Sequence, residues 1–370
     1  MKIRYATNAR IPIQRAHGLQ VMKTCEALAR TGAEVELVVP KRYNAITMDP
    51  FTYYAVEPIF AITYLPTFDL VRWGIPYAFA LQTLAFTVSL VRYLARWPDG
   101  SCLYVSGELG WLLPLISRTP FFWENHIRVH KRSAEARAVR HAKGIVVVTE
   151  RYREDLINEY GLQADAVLVA PDGVDLEQFA SGIEKAEARV RLVLPADKTL
   201  ILYTGSDVPW KGLRYLREAS RLLPENYEVV FVGHMETMGG AANQRFVGPR
   251  PYEEMPMWLA AADVLVLTGD PASETARYYT SPLKLFEYMA ARRPIVAVDL
   301  PAFRDVLSFE SAVLVTPGDP QALADGIVRA VNDAGREARV ERAWRAVQAY
   351  SWQCRAERIL FFIRERFRAV

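Results

Sequence analysis

The chain has 370 residues, of which 51% are hydrophobic and 24% charged, and its 45 basic and 42 acidic side chains leave a formal charge of +3. That length exceeds what one hydrophobic core usually supports and predicts two domains of roughly 150 to 200 residues each, while the composition excludes a disordered chain. So even a charge balance gives no ground for a nucleic-acid partner.

The start, Met1-Lys2-Ile3-Arg4-Tyr5, lacks the apolar run of a secretory signal and reads as a first strand, Ile3–Thr7. Short apolar runs rich in β-branched residues follow at Val35–Val39, Cys102–Val105, Phe121–Trp123, Ile145–Thr149 and Val167–Val169. A second series comes at Leu200–Thr204, Tyr227–Val232, Gln244–Val247, Val264–Thr268, Ile295–Val298 and Ala312–Val315. Runs this apolar suit strands covered on both faces, and the segments between them, such as Leu19–Arg30 and Leu213–Leu223, have helical spacing. The expected architecture is α/β, with two doubly wound, Rossmann-like domains over residues 1–175 and 176–351, joined near Asp172-Gly173-Val174-Asp175. A closing helix within 352–370 is expected to pack back onto the first domain. Ligands of such sheets bind beyond the carboxyl ends of the strands, so two such edges are expected to face each other across a cleft.

Two segments of the first domain bear on a membrane. Trp73 to Val91 carries no formal charge and is nearly long enough to span a bilayer, but Pro76, Gln82, Thr83, Thr87 and Ser89 argue for a buried or groove-lining helix, or one lying on a membrane surface. Between Arg128 and Lys143 stand Arg128, Lys131, Arg132, Arg137, Arg140 and Lys143 against the single acid Glu135; this is either a solvated helix face or a surface that meets anionic lipid or an acidic acceptor. Cys25, Cys102 and Cys354 are far apart in apolar runs without metal or redox spacing, which fits buried thiols in a reducing cytosol.

The loop after the first strand reaches Ala16-His17-Gly18 before its helix, where Gly18 either admits a ligand to the helix start or serves packing. Trp123-Glu124-Asn125-His126 ends a later strand, and a neutral His126 imidazole could bond a sugar hydroxyl or be satisfied by carbonyl groups within the core. In the second domain, Tyr203-Thr204-Gly205-Ser206 leads through Lys211-Gly212 into a helix, placing an ammonium group at its head with glycines keeping the approach open. Phe246-Val247-Gly248-Pro249-Arg250 either exposes backbone and an arginine to a nucleotide base or is a plain turn with a solvated arginine.

The richest segment is Tyr278-Tyr279-Thr280-Ser281-Pro282-Leu283-Lys284-Leu285-Phe286-Glu287-Tyr288-Met289-Ala290. Thr280 or Ser281 can cap a helix with Pro282 in its first turn, and the free N–H groups there favour an anion. Lys284 adds a charge near that end, and Glu287 lies far enough along to accept bonds from a sugar hydroxyl. A nucleotide diphosphate sugar needs that combination.

Taken jointly, these motifs resemble glycosyltransferase family 4, retaining enzymes of the two-domain GT-B fold that use nucleotide-diphosphate sugars without a metal. The resemblance implies that Lys211 holds the diphosphate and Glu287 the donor ribose, that Ser281 to Leu283 offer backbone to the phosphates, that Gly18 approaches the diphosphate, and that His126 contacts the transferred sugar. It implies no cofactor beyond the donor and an acceptor bound by the first domain, where the basic stretch from Arg128 to Lys143 and the apolar segment from Trp73 to Val91 lie; these lead to the expectation of a glycan or lipid-linked acceptor and a cytoplasmic protein peripheral to the inner face of a membrane. Two positions depart from the family. Ser206 stands where many members have an arginine, for which Arg250, Arg277 and Arg15 are candidate replacements. Tyr279 stands where the first of two glutamates, with seven residues between them, is usual, and Glu274 is too early to replace it. These departures keep open a catalytically silent nucleotide-sugar-binding subunit, beside another enzyme of this fold such as a sugar-nucleotide epimerase or a phosphorylase. No glycine-rich turn of the dinucleotide type follows the first strand.

Overall fold

A computed structural model of the chain describes residues 1–70, 76–96, 100–130, 136–180, 182–235 and 240–368. Arg72, Trp73, Lys131, Arg132, Glu135 and Ser181 lie outside the described residues. The chain divides into two compact units, one of Met1–Pro171 with the segment from Trp352 onward, the other of Asp172–Ser351.

The first unit is built on seven strands: β1 Lys2–Ala6, β2 Glu34–Lys41, β3 Ala61–Pro66, β4 Cys102–Ser106, β5 Phe121–Glu124, β6 Gly144–Val147 and β7 Val167–Val169. They lie in the order β3-β2-β1-β4-β5-β6-β7, every pair parallel. The second unit has β8 Thr199–Thr204, β9 Tyr227–Val232, β10 Gln244–Gly248, β11 Val264–Leu267, β12 Ile295–Val298 and β13 Val313–Val315, in the order β10-β9-β8-β11-β12-β13, again all parallel. Each order reverses once, between β1 and β4 and between β8 and β11. Such reversal points leave a crevice at the carboxyl ends of the strands, where ligands of this fold class sit.

The central strands are the uniformly apolar runs of the sequence, and β4 and β9 are buried along their whole length. The sequence offered no such run for β3, an edge strand largely open to solvent whose last residue is Pro66. An edge strand needs no apolar residues on both faces, and proline is tolerated there because one side of its backbone has no partner strand.

The closing helix Trp352–Arg368 packs on the helix Ala16–Arg30 and on β6. Its inner stripe is Trp352, Ala356, Ile359, Leu360 and Ile363, and the Phe362 ring meets Phe122 edge-on at 5.9 Å. Arg366 ties its far end down, Nε donating to the Lys143 carbonyl at 2.7 Å and Nη1 to the Asp165 carbonyl at 3.0 Å. Gly144 makes the docking close. A Cβ there would lie 2.6 Å from the Phe362 ring and 3.0 Å from Phe122. Gly144→Ala should therefore cost about 1–3 kcal/mol of stability, as overpacking does, and Phe362→Leu in the same chain should restore part of it; midpoints of urea denaturation measure both.

Candidate active site

In the second unit the chain leaves β8 through Gly205, whose φ of 130° suits only glycine. Its neighbour at the end of β9, Gly233, is needed for a related reason, since a Cβ there would strike the Gly205 carbonyl at 1.8 Å. The two strand ends thus come within backbone contact and leave the reversal point between β8 and β11 open. Lys211 closes a short turn, Pro209–Lys211, ahead of the helix Leu213–Ser220, with Gly212 left-handed at φ 63° between them. The turn is fastened to the end of β11: the Thr268 hydroxyl donates to the Lys211 carbonyl at 2.7 Å, and Asp270 N–H donates to the Trp210 carbonyl at 2.9 Å. The Lys211 ammonium then reaches back to the Ser206 hydroxyl at 2.9 Å.

A second ammonium arrives from the helix Leu283–Ala290. Lys284 is 8% exposed; its Nζ donates to the Thr204 carbonyl at 3.3 Å and sits 3.6 Å from the centre of the Tyr203 ring. The same helix is locked to β8 by Tyr288, whose hydroxyl accepts from Thr204 N–H at 2.9 Å. Among the described residues neither lysine has a carboxylate within 4 Å. Burial lowers the pKa of Lys211. Burial and the nearby charge of Lys211 hold Lys284 well below its usual value, with Glu287 pulling the other way. Two lysine amines brought to one strand end, with no carboxylate within 4 Å among the described residues, are chemically suited to an anion.

The structure corrects the expected start of that helix. Pro282 is its cap residue and no side chain caps it; Thr280 is buried, and the Ser281 hydroxyl accepts from Asp172 N–H at 3.0 Å. The serine holds the segment after β7 in place of the helix end. Leu283 and Lys284 N–H open the helix with no earlier turn to bond to, while Leu285 N–H donates to the Pro282 carbonyl at 2.9 Å. Glu287 follows on the same helix, 6% exposed. Burial raises its pKa to about 7, against a hydrogen bond from Tyr252 and the charge of Lys284, which lower it.

Gly248 ends β10 with φ 80°, its carbonyl accepting from Gly233 N–H at 2.9 Å. Pro249 and Arg250 beyond it are exposed, with the guanidinium 5.8 Å from the centre of the Trp258 ring. Of the three arginines considered for the place of Ser206, Arg277 is occupied with Tyr278 and Arg250 with Trp258; Arg15 is exposed in the other unit, at the head of the helix Ala16–Arg30. The amine on which the charge of Lys211 acts is that of Lys284. Tyr279, in the place of an acid, is buried, and Glu274 is exposed.

In the first unit Gly18 lies inside its helix, which begins at Ala16 and not at Leu19. Its N–H donates to the Arg15 carbonyl at 3.0 Å, and a Cβ there would lie 2.1 Å from the Tyr54 hydroxyl and 2.7 Å from Ile13. Packing accounts for this glycine. His126, just past β5, bonds through Nε2 to Glu124 Oε1 at 2.8 Å. Glu124 also accepts from Tyr5 (3.1 Å), Tyr104 (2.7 Å) and Gln20 (2.7 Å), and from Arg355 of the closing helix at 2.5 Å. Burial alone would favour its neutral form, but Arg355 and the bonds from His126 and Tyr104 outweigh that and hold the carboxyl far below the usual range. Sequence reading missed Tyr252, Thr268 and Arg355, each of which acts on a named site residue from another element.

Comparison with known proteins decides the family. Residues 18–178 match the model described as Glycosyltransferase Family 4, and residues 198–333 the one described as Glycosyl transferases group 1. A putative teichuronic acid biosynthesis glycosyltransferase, TuaC, of Bacillus subtilis is 30% identical over 334 residues, 82% of each chain. The chain belongs to glycosyltransferase family 4. A D-inositol 3-phosphate glycosyltransferase of Xylanimonas cellulosilytica is 28% identical over 379 residues, 90% of this chain and 87% of that one. Among solved structures, sucrose-phosphate synthase from Thermosynechococcus elongatus superposes with a TM-score of 0.74 at 21% identity, covering 100% of both chains. Anabaena Alr3699/HepE in complex with UDP-glucose does so with a TM-score of 0.75 at 18%, covering 99% of this chain and 100% of that one. The fold is GT-B, and this family 4 member is a transferase enzyme; the names of its relatives favour transfer over the epimerase and silent-subunit readings.

The raised pKa of Glu287 has a consequence for stability. Between its usual 4.5 and the folded value of about 7, the folded chain keeps a proton that the unfolded chain gives up, so this residue's contribution is present below pH 4.5 and is lost as pH rises through 7. Glu287→Gln cannot lose it. The stability of the native chain relative to that variant should fall by up to ~3 kcal/mol between pH 5 and 8, at about 1.4 kcal/mol per pKa unit, as read from denaturation curves at each pH.

Proposed function

We propose that the chain transfers a sugar from a nucleotide diphosphate to an acceptor hydroxyl with retained anomeric configuration, and that the second unit holds the nucleotide diphosphate. The observation that carries this reading is the pair of confined ammonium groups, Lys211 and Lys284, meeting at the end of β8 without an acid partner. As the glycosidic bond breaks, negative charge grows on the leaving diphosphate, so fixed cations aimed there lower the barrier. Lys211 and Lys284 supply the charge, the helix start at Leu283 supplies N–H donors, and Glu287 accepts the ribose hydroxyls. This assigns neutralisation of the diphosphate to protein groups in place of a metal ion. The complex of Alr3699/HepE with UDP-glucose supports the donor class. In the first unit, His126 meets the transferred sugar. Lys211→Ala should lower turnover roughly 100-fold, the scale for losing one such donor, with a smaller loss of donor binding by calorimetry. Unchanged transfer and unchanged donor hydrolysis would defeat the assignment. Thermal stabilisation across a panel of sugar nucleotides identifies the base and sugar.

The acceptor is proposed to be a glycan precursor carried on lipid, met at the inner face of a membrane. The supporting feature is an inverted helix, Ala78–Arg96. Its polar Gln82, Thr83 and Thr87 face inward, with Asn8 donating to Thr83 at 2.8 Å, while Phe79, Leu81 and Leu84 stand 40–51% exposed beside Tyr77 at 85%. Gln82, Thr83 and Thr87, three of the residues that argued against a bilayer span, therefore face the protein interior. The helix is long and apolar enough to cross a membrane by length and composition, yet its inner face is committed to the unit. Exposed Arg92, Arg137 and Arg140 of this unit carry charge for anionic lipid. The purified protein should sediment with anionic vesicles at low salt, and Leu81→Glu with Leu84→Glu should abolish this; failure of the native chain to sediment ends the idea.

A further inference from the structure

His126 stands at the end of a chain of contacts that begins on the closing helix. Arg355, 1% exposed, spreads its guanidinium over three acceptors: Nε donates to the Pro171 carbonyl at 3.0 Å, Nη1 to the Thr24 hydroxyl at 3.1 Å and Nη2 to Glu124 Oε1 at 2.5 Å. Glu124, equally buried, has both oxygens filled: Oε2 by Tyr5 and Tyr104, Oε1 by Gln20, Arg355 and His126. A carboxylate with every direction committed cannot swing. An ionised carboxylate only accepts, so the ring nitrogen facing it, Nε2 at 2.8 Å, is assigned the proton, and Nδ1 of the neutral ring is the acceptor atom. A histidine oriented by a carboxylate that is itself oriented by further groups is the arrangement by which proteins fix the ring plane and tautomer of a working imidazole.

We infer that Glu124, anchored by Arg355 of the closing helix, is a positioning residue for transfer, holding His126 with its proton on Nε2 and Nδ1 as acceptor for a sugar hydroxyl. The inference rests on the reading that His126 meets the transferred sugar. A purely structural role would also explain why the network is buried, and the two differ in what happens when His126 is absent.

The test uses the full chain with Glu124→Gln and, so that no buried charge is left without its partner, with the pair Glu124→Leu and Arg355→Met, each made in the native and in the His126→Ala background. In the native background turnover should fall on the order of tenfold, the scale for losing an outer partner of a working histidine, while KM for the donor changes less. In the His126→Ala background the same changes should cost nothing further. Titration of the His126 ring by NMR should show its midpoint lowered in Glu124→Gln, because the ring loses the carboxylate at 2.8 Å. An unchanged midpoint, or the same loss of turnover with and without His126, overturns the inference. If His126→Ala alone turns over like the native chain, the reading of His126 as a sugar contact fails, while the ring titration still decides whether Glu124 positions it.

Discussion

A carboxylate taken out of water must find a cation and enough donors, or it takes up a proton. Glu124 finds them on β1, β4, the helix Ala16–Arg30, the loop after β5 and the closing helix, which returns from the second unit to reach it. Removing one partner of such a pair typically costs about 3–5 kcal/mol because the other charge is stranded. The pair therefore does more than add stability to the first unit. It makes the position of the closing helix a condition for the position of His126. Apolar packing of Phe362 over Gly144 supplies the force that brings the helix in, and the ion pair sets how it must lie once there.

The second unit presents the opposite electrostatic situation. There two lysine amines, Lys211 and Lys284, come to the end of β8 with no carboxylate within 4 Å among the described residues, and Glu287, whose charge acts on Lys284, is itself buried with a raised pKa. On the proposed reading an anion relieves this arrangement, and bound donor would stabilise the fold by mass action as well as by contact.

The sequence carried the fold through its apolar runs because the central strands of a parallel sheet are covered on both faces, and it failed at Ala61–Pro66 because an edge strand is not. Lys211 and Lys284 were expected at helix starts of the second domain, and the structure brings both to the end of β8. Ser281 and Gly18 were legible as special positions but not as to purpose: one side chain holds Asp172 and the other position admits Tyr54, contacts between segments far apart in the chain. Arg355 left a weaker trace. It falls on the apolar stripe of its helix with Ile359 and Ile363, and a cation on a buried stripe signals a buried acid without saying which.

On the proposed reading, Ser206 in the place of an arginine changes the kind of cation that would face the donor. Arginine stays charged in any protein environment and grips phosphate through a planar fork, whereas lysine is a point charge whose pKa moves readily on burial. With Ser206 bonded to Lys211 and Lys284 supplying the second positive group from the helix, both cations of this pocket are of the adjustable kind. Lys284 lies against the Tyr203 ring and donates to the Thr204 carbonyl, and burial with the nearby charge of Lys211 holds its pKa well below the usual value. On the proposed reading, neutralisation of the leaving diphosphate would be coupled to its presence, and the unit without an anion would be spared the full repulsion of two permanent cations at one strand end.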